Sequence, residues 1–481
     1  MTKDYRPWTP EQAFLLPPSP MEWLPEGHLA YFVLEVVREL DVSAIEDAIQ
    51  GKDGRGTRPY SPRMMTALLL YAYCRGIYSS RRIAQACRER VDFMSIIALD
   101  PPDFRTISNF RKRHLKALAG LFVQVLKLCE KAGLVKLGHV ALDGTKIKAN
   151  ASKHKAMSYV RMEKRAAELE AEVAKWLSSA EAADAGEDKL YGRDKTGEEM
   201  PDWVADKKRR AETIRAAKAA LEAEAKAAAE AKVKEEAAAE EKRQAEGRKK
   251  PGPKAVPPSG APDPKAQKNF TDPESRIMKS KDGFMQAFNA QAAVDAEAQI
   301  IVAQAVTQDA NDRRQLAPMT DAIETNLGRK PEQLSADSGY CSNANIEALE
   351  TRGIDGYIAP GRTKDTADGT AEASMAAPPA DASATASPEP ASVPTRVEAM
   401  REKIKAGGHD SPYRLRKQLP EPVFGQIKQA RGFRQFLLRG LEKVHAEWSI
   451  VCTAHNLLKL AQRRTLSALR SIAIEARPAV A

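Results

Sequence analysis

The stretch HVALDG, residues 139–144, marks the point where helical patterns give way to strand patterns. Residues His139 to Leu142 are a short apolar run, which is typical of a buried strand, and Asp143-Gly144 then predicts a tight turn. The stretch LSADSG, residues 334–339, repeats this arrangement around Asp337. Because ligands of open α/β sheets bind near the carboxyl ends of strands, we expect both aspartates at a functional edge of one sheet.

The patterns on either side of these stretches predict the fold class. Residues from about 24 to 130 have apolar positions at three and four spacing, which predicts an all-helical N-terminal domain. Downstream, strand patterns alternate with helical ones, which predicts an α/β domain built on a mixed sheet. The predicted strands are Phe284–Val294, Ile300–Val306, Gln333–Ala336 and Gly356–Ala359, and the predicted helices are Asp312–Asn326, Asn343–Thr351 and a basic amphipathic one from Glu421 to about Glu475.

Two segments of biased composition interrupt the α/β domain. Between Ala211 and Lys250, 34 of 40 residues are Ala or charged, and only Ile214, Leu221 and Val233 could line an apolar face. This composition predicts a long solvated helical hairpin or a coiled coil. The second segment, rich in Ala, Pro, Ser and Thr, is predicted to be disordered. The predicted boundaries are a helical domain at 1–135, the α/β domain at 136–155 and 268–475, the charged helical insertion at 156–267 and the low-complexity insertion at 362–410.

The basic charge is concentrated in two regions. Residues 401–470 hold 15 Lys and Arg against 5 Asp and Glu, an excess of ten that equals the net charge of the whole 481-residue chain. Residues 101–150 hold 10 basic and 3 acidic side chains. Two separate basic regions favour a polyanion partner such as a nucleic acid. Within the second region, Arg111, Lys112 and Arg113 are expected on the outer face of a helix capped by Thr106, as in a helix-turn-helix unit, although any helical bundle with a basic face has the same pattern.

Several classes of protein are excluded or disfavoured by the sequence. The longest apolar run, Met64 to Tyr73, is too short to span a membrane, and we find no secretory signal, so the cytoplasm is the expected compartment. The five cysteines are isolated, with no pair at CxxC spacing, and the histidines are never at metal-ligand spacing. Neither a disulfide framework nor a structural zinc site is predicted.

A third carboxylate is expected from the basic C-terminal region. Phosphodiester chemistry on nucleic acids commonly uses divalent ions, and Mg²⁺ prefers carboxylate oxygens. Glu421 lies between two prolines at the predicted start of a helix, and Lys428, seven residues on, could hold a phosphate on the same face. Glu442 and Glu447 compete for this role, but we interpret them as surface or structural acids. Turn chemistry alone remains the alternative for each Asp-Gly, and turn or cap roles are favoured for Asp272 and Asp295.

Five motifs together resemble one family. They are LDGTKIKANAS (142–152), TDPESR (271–276), FNAQAAVD (288–295), ADSGY (336–340) and EPVFGQIK (421–428). In this order they resemble bacterial insertion-sequence transposases of the DDE type, in the group whose C-terminal signature is Tyr, Arg, Glu, Lys. The helical block that includes residues 104–114 is similar to the domain that precedes the catalytic domain in these enzymes.

The resemblance implies an RNase H-like fold with the first Asp on the first strand, the second Asp after the fourth strand and the Glu on a later helix. Asp143, Asp337 and Glu421 would then hold two Mg²⁺ ions, for which Mn²⁺ can substitute, with Asp143 bridging both. Lys428 matches the signature lysine. The signature arginine stays open, because Arg416 has the expected spacing from Tyr413 whereas Lys417 has the expected spacing from Glu421.

The resemblance also implies the reaction and the partners. Water would hydrolyse a phosphodiester at each transposon end, and the freed 3′-hydroxyl would attack target DNA in cut-and-paste transposition. The partner would be double-stranded DNA, both the terminal inverted repeats and the target, in a bacterial cytoplasm near the nucleoid, and the enzyme would act as a homodimer. The expected DNA contacts are Lys428, Arg416, Tyr413, Lys146, Arg111, Lys112 and Arg113. The alternatives are a DNA-binding protein that has lost catalysis and a nuclease without strand transfer.

Overall fold

The structure is a computed structural model that describes residues 19–50, 58–191, 202–245, 260–280, 283–361 and 395–463. Parts of the predicted domains at residues 1–18, 362–394 and 464–475 lie outside these ranges. No helix within the described ranges is long and apolar enough to cross a membrane.

Helices precede the sheet, as the sequence predicts. In this part α3 is the central helix, with every residue from Met65 to Cys74 buried. The helices are α1 (Leu29–Glu39), α2 (Ser43–Gln50), α3 (Pro62–Cys74), α4 (Ser80–Glu89), α5 (Val91–Ile97), α6 (Phe104–Arg113) and α7 (Leu115–Lys131).

The predicted basic face of α6 is only partly exposed. The helix begins after Asp103, whose carboxylate accepts a hydrogen bond from the Arg105 N–H at 2.8 Å, so Asp103 rather than Thr106 is the cap. Arg111 is 5% exposed and donates to the Tyr73 hydroxyl at 3.1 Å and the Tyr78 carbonyl at 3.0 Å. The expectation that Arg111 faces DNA is therefore wrong, because its guanidinium is buried and its Nη atoms donate to oxygens of the helical domain. Lys112 and Arg113 are exposed.

One six-stranded sheet forms the centre of the second half of the chain. Strand β1 is flanked by antiparallel β5 on one side and parallel β7 on the other, and β8 continues the parallel side beyond β7. Strands β4 and β6 pair with different halves of the far edge of β5. The strands are β1 (His139–Lys148), β2 (Ala156–Ser158), β3 (Gln267–Asn269), β4 (Arg276–Ser280), β5 (Gly283–Asp295), β6 (Ile301–Thr307), β7 (Gln333–Ala336) and β8 (Asp355–Ile358), and β2 and β3 form a separate pair.

The turn predicted at Asp143-Gly144 is not formed. Strand β1 continues through both residues to Lys148, with Asp143 opposite Ala292 and Gly144 opposite Gln291 of β5. Pairing with the long strand β5 satisfies the backbone groups that a turn would leave free, and it overrides the local preference of Asp-Gly. The other predicted strands are confirmed within one or two residues.

The charged insertion forms two long helices, α8 (Tyr159–Tyr191) and α9 (Asp202–Ala245). Ion pairs between residues 163 and 218, 170 and 215, and 172 and 207 show that the helices run antiparallel. A small core joins them, to which α9 contributes Ile214 and Leu221 but not Val233, which is 50% exposed. Buried residues of α8, among them Met162 and Leu169, complete this core, so the hairpin has an apolar seam that the pattern of α9 alone does not show.

Three helices cover the sheet: α10 (Leu316–Leu327), α11 (Asn343–Arg352) and α12 (Arg396–Gly407). Helix α12 corrects part of the predicted low-complexity insertion at 362–410, because residues 396–407 are ordered. Thr395 and Glu398 form a reciprocal capping box, and Met400 is buried in the core. Lys403 also pairs with Asp355 of β8. The capping box and these contacts stabilise a helix at this place, although the composition of the preceding stretch predicts disorder.

The predicted continuous helix from Glu421 is wrong. The chain forms α13 (Leu415–Gln418), α14 (Pro420–Gly425), a wide π-helical turn (Gln426–Ala430) and α15 (Leu441–Gln462). Between the last two it is irregular, with Gly432 and Gly440 at positive φ, a conformation that glycine adopts without strain.

Helix α15 joins the two halves of the molecule. It packs on α3 and α7 on one side and on β6 on the other. Asn456 accepts from the Ile301 N–H at 2.9 Å and donates to the Ile301 carbonyl at 2.8 Å, so its amide satisfies the outer edge of β6. The indole of Trp448 donates to the Gln291 carbonyl at 3.1 Å. One continuous hydrophobic core therefore includes the N-terminal helices and the sheet.

Candidate active site

Three predicted acids meet around the guanidinium of Arg416. Its Nη2 lies 3.6 Å from the Asp143 carboxylate and 3.5 Å from the Asp337 carboxylate, and its Nη1 lies 3.9 Å from the Glu421 carboxylate. The acids come from β1, from the end of β7 and from α14, whereas the arginine comes from α13. Residues almost 280 positions apart therefore converge on one cation.

The register of the parallel strands brings the two aspartates together. Leu142 of β1 pairs with Ala336 of β7, so Asp143 and Asp337 each follow the last pair of this ladder. Each carboxylate is oriented by a glycine N–H, from Gly144 in one case and from Gly339 in the other, both at 2.8 Å.

Arg416 is held by charge more than by hydrogen bonds. Its three distances to the carboxylates are longer than the roughly 2.7–2.9 Å of a usual charge-assisted N–H···O bond. Its Nε is buried and has no hydrogen-bond partner among the described residues. A buried donor without a partner costs about 1–3 kcal/mol, so the Arg416 side chain in this position lacks part of its hydrogen bonding. The neighbouring Lys417 is exposed, which makes Arg416 the basic residue of this pair that faces the acids.

Asp143 lies in an environment that favours its protonated form. Burial raises the pKa of this carboxyl to about 7, while Arg416 lowers it and Asp337 raises it again. The Gly144 N–H also lowers the pKa, and Asp312 raises it. A carboxyl that exchanges its proton near neutral pH responds strongly to any cation placed beside it.

Asp312 is a further acid of this site that was not predicted from the sequence. Its Oδ1 accepts from the amides of Asn289 and Gln291, at 2.7 Å and 2.6 Å, on the strand next to β1. The Tyr340 hydroxyl donates to the same Gln291, and the Tyr340 ring is fully buried. Asp312 follows strand β6 by five residues, so an acid after a strand is the only signal that could have identified it.

Gly144 leaves room for this network. A Cβ at this position would lie 2.4 Å from Gln291 Nε2 and 2.5 Å from Asp312 Oδ1, so the ends of these two side chains would have to shift. Glycine suits this position because the side chains of β5 and of the loop after β6 approach the backbone of β1 closely, not because of a turn.

The predicted DNA contacts do not all reach this centre. The Lys428 ammonium contacts the Thr145 hydroxyl and the Lys146 carbonyl, at 3.0 Å for the latter, and burial lowers the pKa of this amine. Tyr413 is half-buried beside the acids, and burial raises the pKa of its hydroxyl. Lys146 points away from them, with its amine 3.2 Å from the Lys279 carbonyl. Arg111, Lys112 and Arg113 belong to the helical domain.

The competing acids have other partners. Glu442 is 73% exposed and lies 3.3 Å from the Lys116 amine. Glu447 is fully buried and accepts from the Leu437 and Leu438 N–H groups at 3.0 Å each. Asp295 accepts from the Leu137 and Glu297 N–H groups, and Asp272 from the Gly440 N–H. These contacts fit the structural or surface roles expected for all four.

The chemistry of the donor set suits a hard divalent cation. All three groups around Arg416 present carboxylate oxygens, which Mg²⁺ and Mn²⁺ prefer. In this conformation, within the described residues, no three Asp, Glu, His or Cys side chains are placed to hold a metal ion. The guanidinium lies between the carboxylates and is itself the cation on which they converge.

Comparison with known families found two matches. Residues 18–113 match the family model described as "Transposase domain (DUF772)", and residues 257–457 match the one described as "Transposase DDE domain". No curated protein and no solved structure matches the chain. The second model covers Asp337, Glu421 and Arg416 but not Asp143, whose assignment rests on the register of the sheet.

Proposed function

We propose that the chain, which matches family models of two transposase domains, is a DDE transposase, and that Asp143, Asp337 and Glu421 are its metal-binding catalytic carboxylates. One observation carries this proposal. Three acids from separate elements surround one cationic position at 3.5–3.9 Å from the Arg416 guanidinium. Asp143 is buried and Asp337 is partly buried, whereas Glu421 is exposed at their edge. Placing the two aspartates together is unfavourable unless a cation compensates their charge, so the arrangement favours a site for positive charge.

The same carboxylates would hold Mg²⁺, or Mn²⁺ in its place, as two ions in the active form. Divalent ions there would lower the pKa of bound water and neutralise charge on the phosphodiester. Binding of ions requires the Arg416 side chain to leave the centre, and its long ion pairs and unpartnered Nε make this exchange inexpensive. Asp143 would lose its proton when the ions bind, because a nearby divalent cation favours the carboxylate.

The surrounding residues have supporting roles in this proposal. Asp312 fixes the amides of Asn289 and Gln291, which keeps the floor of the site rigid behind Asp143. Lys428 is anchored on Thr145, two residues beyond Asp143 along β1, where its ammonium can hold a phosphate of the DNA. Arg416, once displaced, is close enough to the cleavage centre to contact the same strand.

We infer that the sheet is of the RNase H-like kind. Strand order β6-β5-β1-β7-β8 has parallel pairings on one side of β1 and antiparallel pairings on the other, so that only β5 runs opposite to β1. If the short edge strand β4 is set aside, Asp337 follows the fourth strand and Glu421 lies on a later helix, the order that such a fold implies.

The reaction that we propose is cut-and-paste transposition of an insertion sequence. Hydrolysis at each transposon end would be followed by attack of the freed 3′-hydroxyl on target DNA, both in this one site. Two ends must be brought together, so we propose a homodimer that binds double-stranded terminal repeats. We also propose that the domain boundaries lie at the predicted positions, near residues 135, 155 and 268.

The test is cleavage of a plasmid that carries the reading frame with its natural flanking DNA, in Mg²⁺. We expect breaks at both ends of the element and joined products, with both lost in Asp143→Asn and kept in the matched control Glu442→Gln. Breaks without joined product would instead indicate a nuclease. DNA binding by the unaltered chain without any break would indicate a DNA-binding protein that has lost catalysis.

A further inference from the structure

A basic groove lies at the end of β1 away from the carboxylates. It has a volume of about 700 Å³, and Lys148, Lys155, Arg439 and His154 line it. None of the described lining residues is acidic. Its floor is built from the end of β1 and from the irregular segment before α15, where the Arg439 Nε donates to the Asn150 carbonyl at 2.9 Å.

A second groove continues the first towards the helical insertion. It has a volume of about 370 Å³ and shares His154 and Lys155 with the first. Arg161 of α8 and Arg210 of α9 line it, and again none of the described lining residues is acidic. We call the two grooves together, lined by Lys148, Lys155, Arg161, Arg210 and Arg439, the basic track.

The cations of the basic track lack the partners that other cations of the insertion have. Within the described residues, none of its five basic side chains forms a salt bridge with a carboxylate. On the same two helices, Lys207, Arg215 and Lys218 each pair with a glutamate of α8 at 2.6–2.9 Å. These neighbouring cations of the hairpin are neutralised by its own acids, whereas the cations of the track leave positive charge facing a concave surface.

An aromatic ring stands at the rim of the track. Phe284, at the start of β5, is 66% exposed and lines the larger groove together with Met285. It is the most exposed of the large hydrophobic side chains in the described part of the chain. Cations for the backbone together with a ring for an unstacked base are typical of surfaces that bind single-stranded nucleic acids.

The track begins within reach of the proposed active site. Lys148 follows Asp143 by five residues along β1, which corresponds to about 17 Å at roughly 3.3 Å per strand residue. The same distance is about five steps of duplex DNA at roughly 3.4 Å each. Lys428 lies between the two along β1, on Thr145 and Lys146. Because side chains alternate along a strand, Lys148 projects from the other face of β1 than Asp143, so DNA would reach both by passing around the end of β1.

We propose that the basic track binds the phosphodiester backbone of DNA about five base pairs from the cleaved bond, and that the Phe284 ring stacks there on a base that has left its place in the duplex. The helical insertion thus contributes to the DNA-binding surface through Arg161 and Arg210. The distance between the track and the cut rests on the proposed function, because it assumes that DNA is cleaved at the carboxylates. The binding of DNA by the track does not depend on that function. The bound DNA is either the transposon end or the flanking and target DNA, which share the same backbone chemistry.

The first test measures binding of fluorescent duplexes to the full chain over a range of salt. Lys155→Ala with Arg439→Ala removes two proposed phosphate contacts, and Arg161→Ala with Arg210→Ala removes two more. Each contact contributes about 0.9 to the slope of log affinity against log salt, so each pair should lower the slope by roughly two. The matched control is Lys232→Ala with Lys234→Ala, two exposed lysines of α9 outside both grooves.

Two duplexes of equal length separate the two sources of DNA. One carries the end of the element as it stands beside the reading frame, and the other has the same composition in scrambled order. A larger loss of affinity on the first supports a contact with the transposon end, and an equal loss on both supports flanking or target DNA. An unchanged salt slope in both groove pairs, or an equal fall in the control pair, overturns the proposal.

The second test concerns Phe284. Stacking inside a duplex quenches 2-aminopurine, so this base, placed in steps from three to seven base pairs from the cut, should gain fluorescence at one position with the natural chain and lose that gain with Phe284→Ala. Equal fluorescence at every position in both proteins overturns the stacking.

The cleavage assay on the natural plasmid keeps this inference distinct from the proposed function. Cleavage by the natural chain with unchanged salt slopes in the groove variants refutes the track alone. Lowered slopes without any cleavage support the track and refute the proposed catalysis.

Discussion

Asp143 and Glu447 are two buried carboxyls whose surroundings differ in kind. Burial raises the pKa of each to about 7, and an arginine opposes that rise in each case, Arg416 for Asp143 and Arg111 for Glu447. Glu447 is closed in by two backbone N–H groups, of Leu437 and Leu438. Asp143 has one such N–H, and two further acids lie around the same arginine.

The comparison teaches that a raised pKa alone does not identify a catalytic acid. What distinguishes Asp143 is the convergence of Asp337 and Glu421 on the same cation, together with an arginine that is not fully hydrogen bonded. Glu447 instead anchors the irregular segment before α15, so its role is structural.

The largest expected effect is on cleavage. Asp143→Asn keeps the shape of the side chain but removes a negative charge from the proposed metal site, so we expect cleavage to fall by about a thousandfold or more. Glu447→Gln should cleave within a few-fold of the natural chain, measured with the same plasmid and Mg²⁺. Comparable losses of cleavage in both variants would show that Asp143 and Glu447 do not have different roles.

A smaller loss is expected from Gly144→Ala. The added methyl group would displace Gln291 and Asp312, which lie 2.4 Å and 2.5 Å from its position, and so shift the floor of the site. A misplacement of this size can cost about a hundredfold in rate. Gly120→Ala in α7, where no atom lies within 4 Å, should retain full cleavage. Full cleavage by Gly144→Ala would show that the packing behind Asp143 is not needed.

The Arg416 side chain is expected to compete with metal ions. Arg416→Gln removes the cation that occupies the space between the carboxylates, so Mn²⁺ should bind about tenfold more tightly, equivalent to about 1.4 kcal/mol. Without metal the variant should unfold at a lower temperature than the natural chain, because three acids then lack compensation. Titration of Mn²⁺ followed by electron paramagnetic resonance measures the affinity, and weaker binding would mean that Arg416 supports the metal instead.

The smallest effect concerns stability and pH. The pKa of Glu447 is raised from 4.5 to about 7, so its contribution to stability is present below pH 4.5 and is lost as the pH rises through 7. Glu447→Gln can still accept from Leu437 and Leu438 but does not titrate. We expect its melting temperature to exceed that of the natural chain by about 2–4 °C at pH 8, with a smaller difference at pH 5. A difference that is larger at pH 5 would contradict the assignment.

The sequence predicted those features that depend on one strand or one motif. An apolar run before an acid located β1 and β7, and the motifs located Glu421 and Lys428. The turn at Asp143-Gly144 was predicted wrongly, because pairing with β5 is a long-range contact that local propensity does not contain. The same limit applies to the break after Ala430, where the chain folds back on β1 through Lys148 and Gln435.

Side-chain environments were the least predictable features. Arg111 has the spacing of an exposed residue, and only the tertiary packing of α3 and α4 supplies the oxygens that bury it. Asp312 carries no motif, and its role depends on two amides of a neighbouring strand. The position of Arg416 among three acids depends on where α13 meets the sheet, which no spacing in the sequence records.

The most direct test of the central claim replaces Mg²⁺ by Fe²⁺ and adds ascorbate and peroxide. Radicals formed at the bound ion cut the polypeptide next to its ligands, and sequencing of the fragments locates the cuts. We predict cuts beside Asp143, Asp337 and Glu421, all absent in Asp143→Asn and all present in Glu447→Gln. Cuts clustered elsewhere, or unchanged in Asp143→Asn, would show that these three carboxylates are not the metal site.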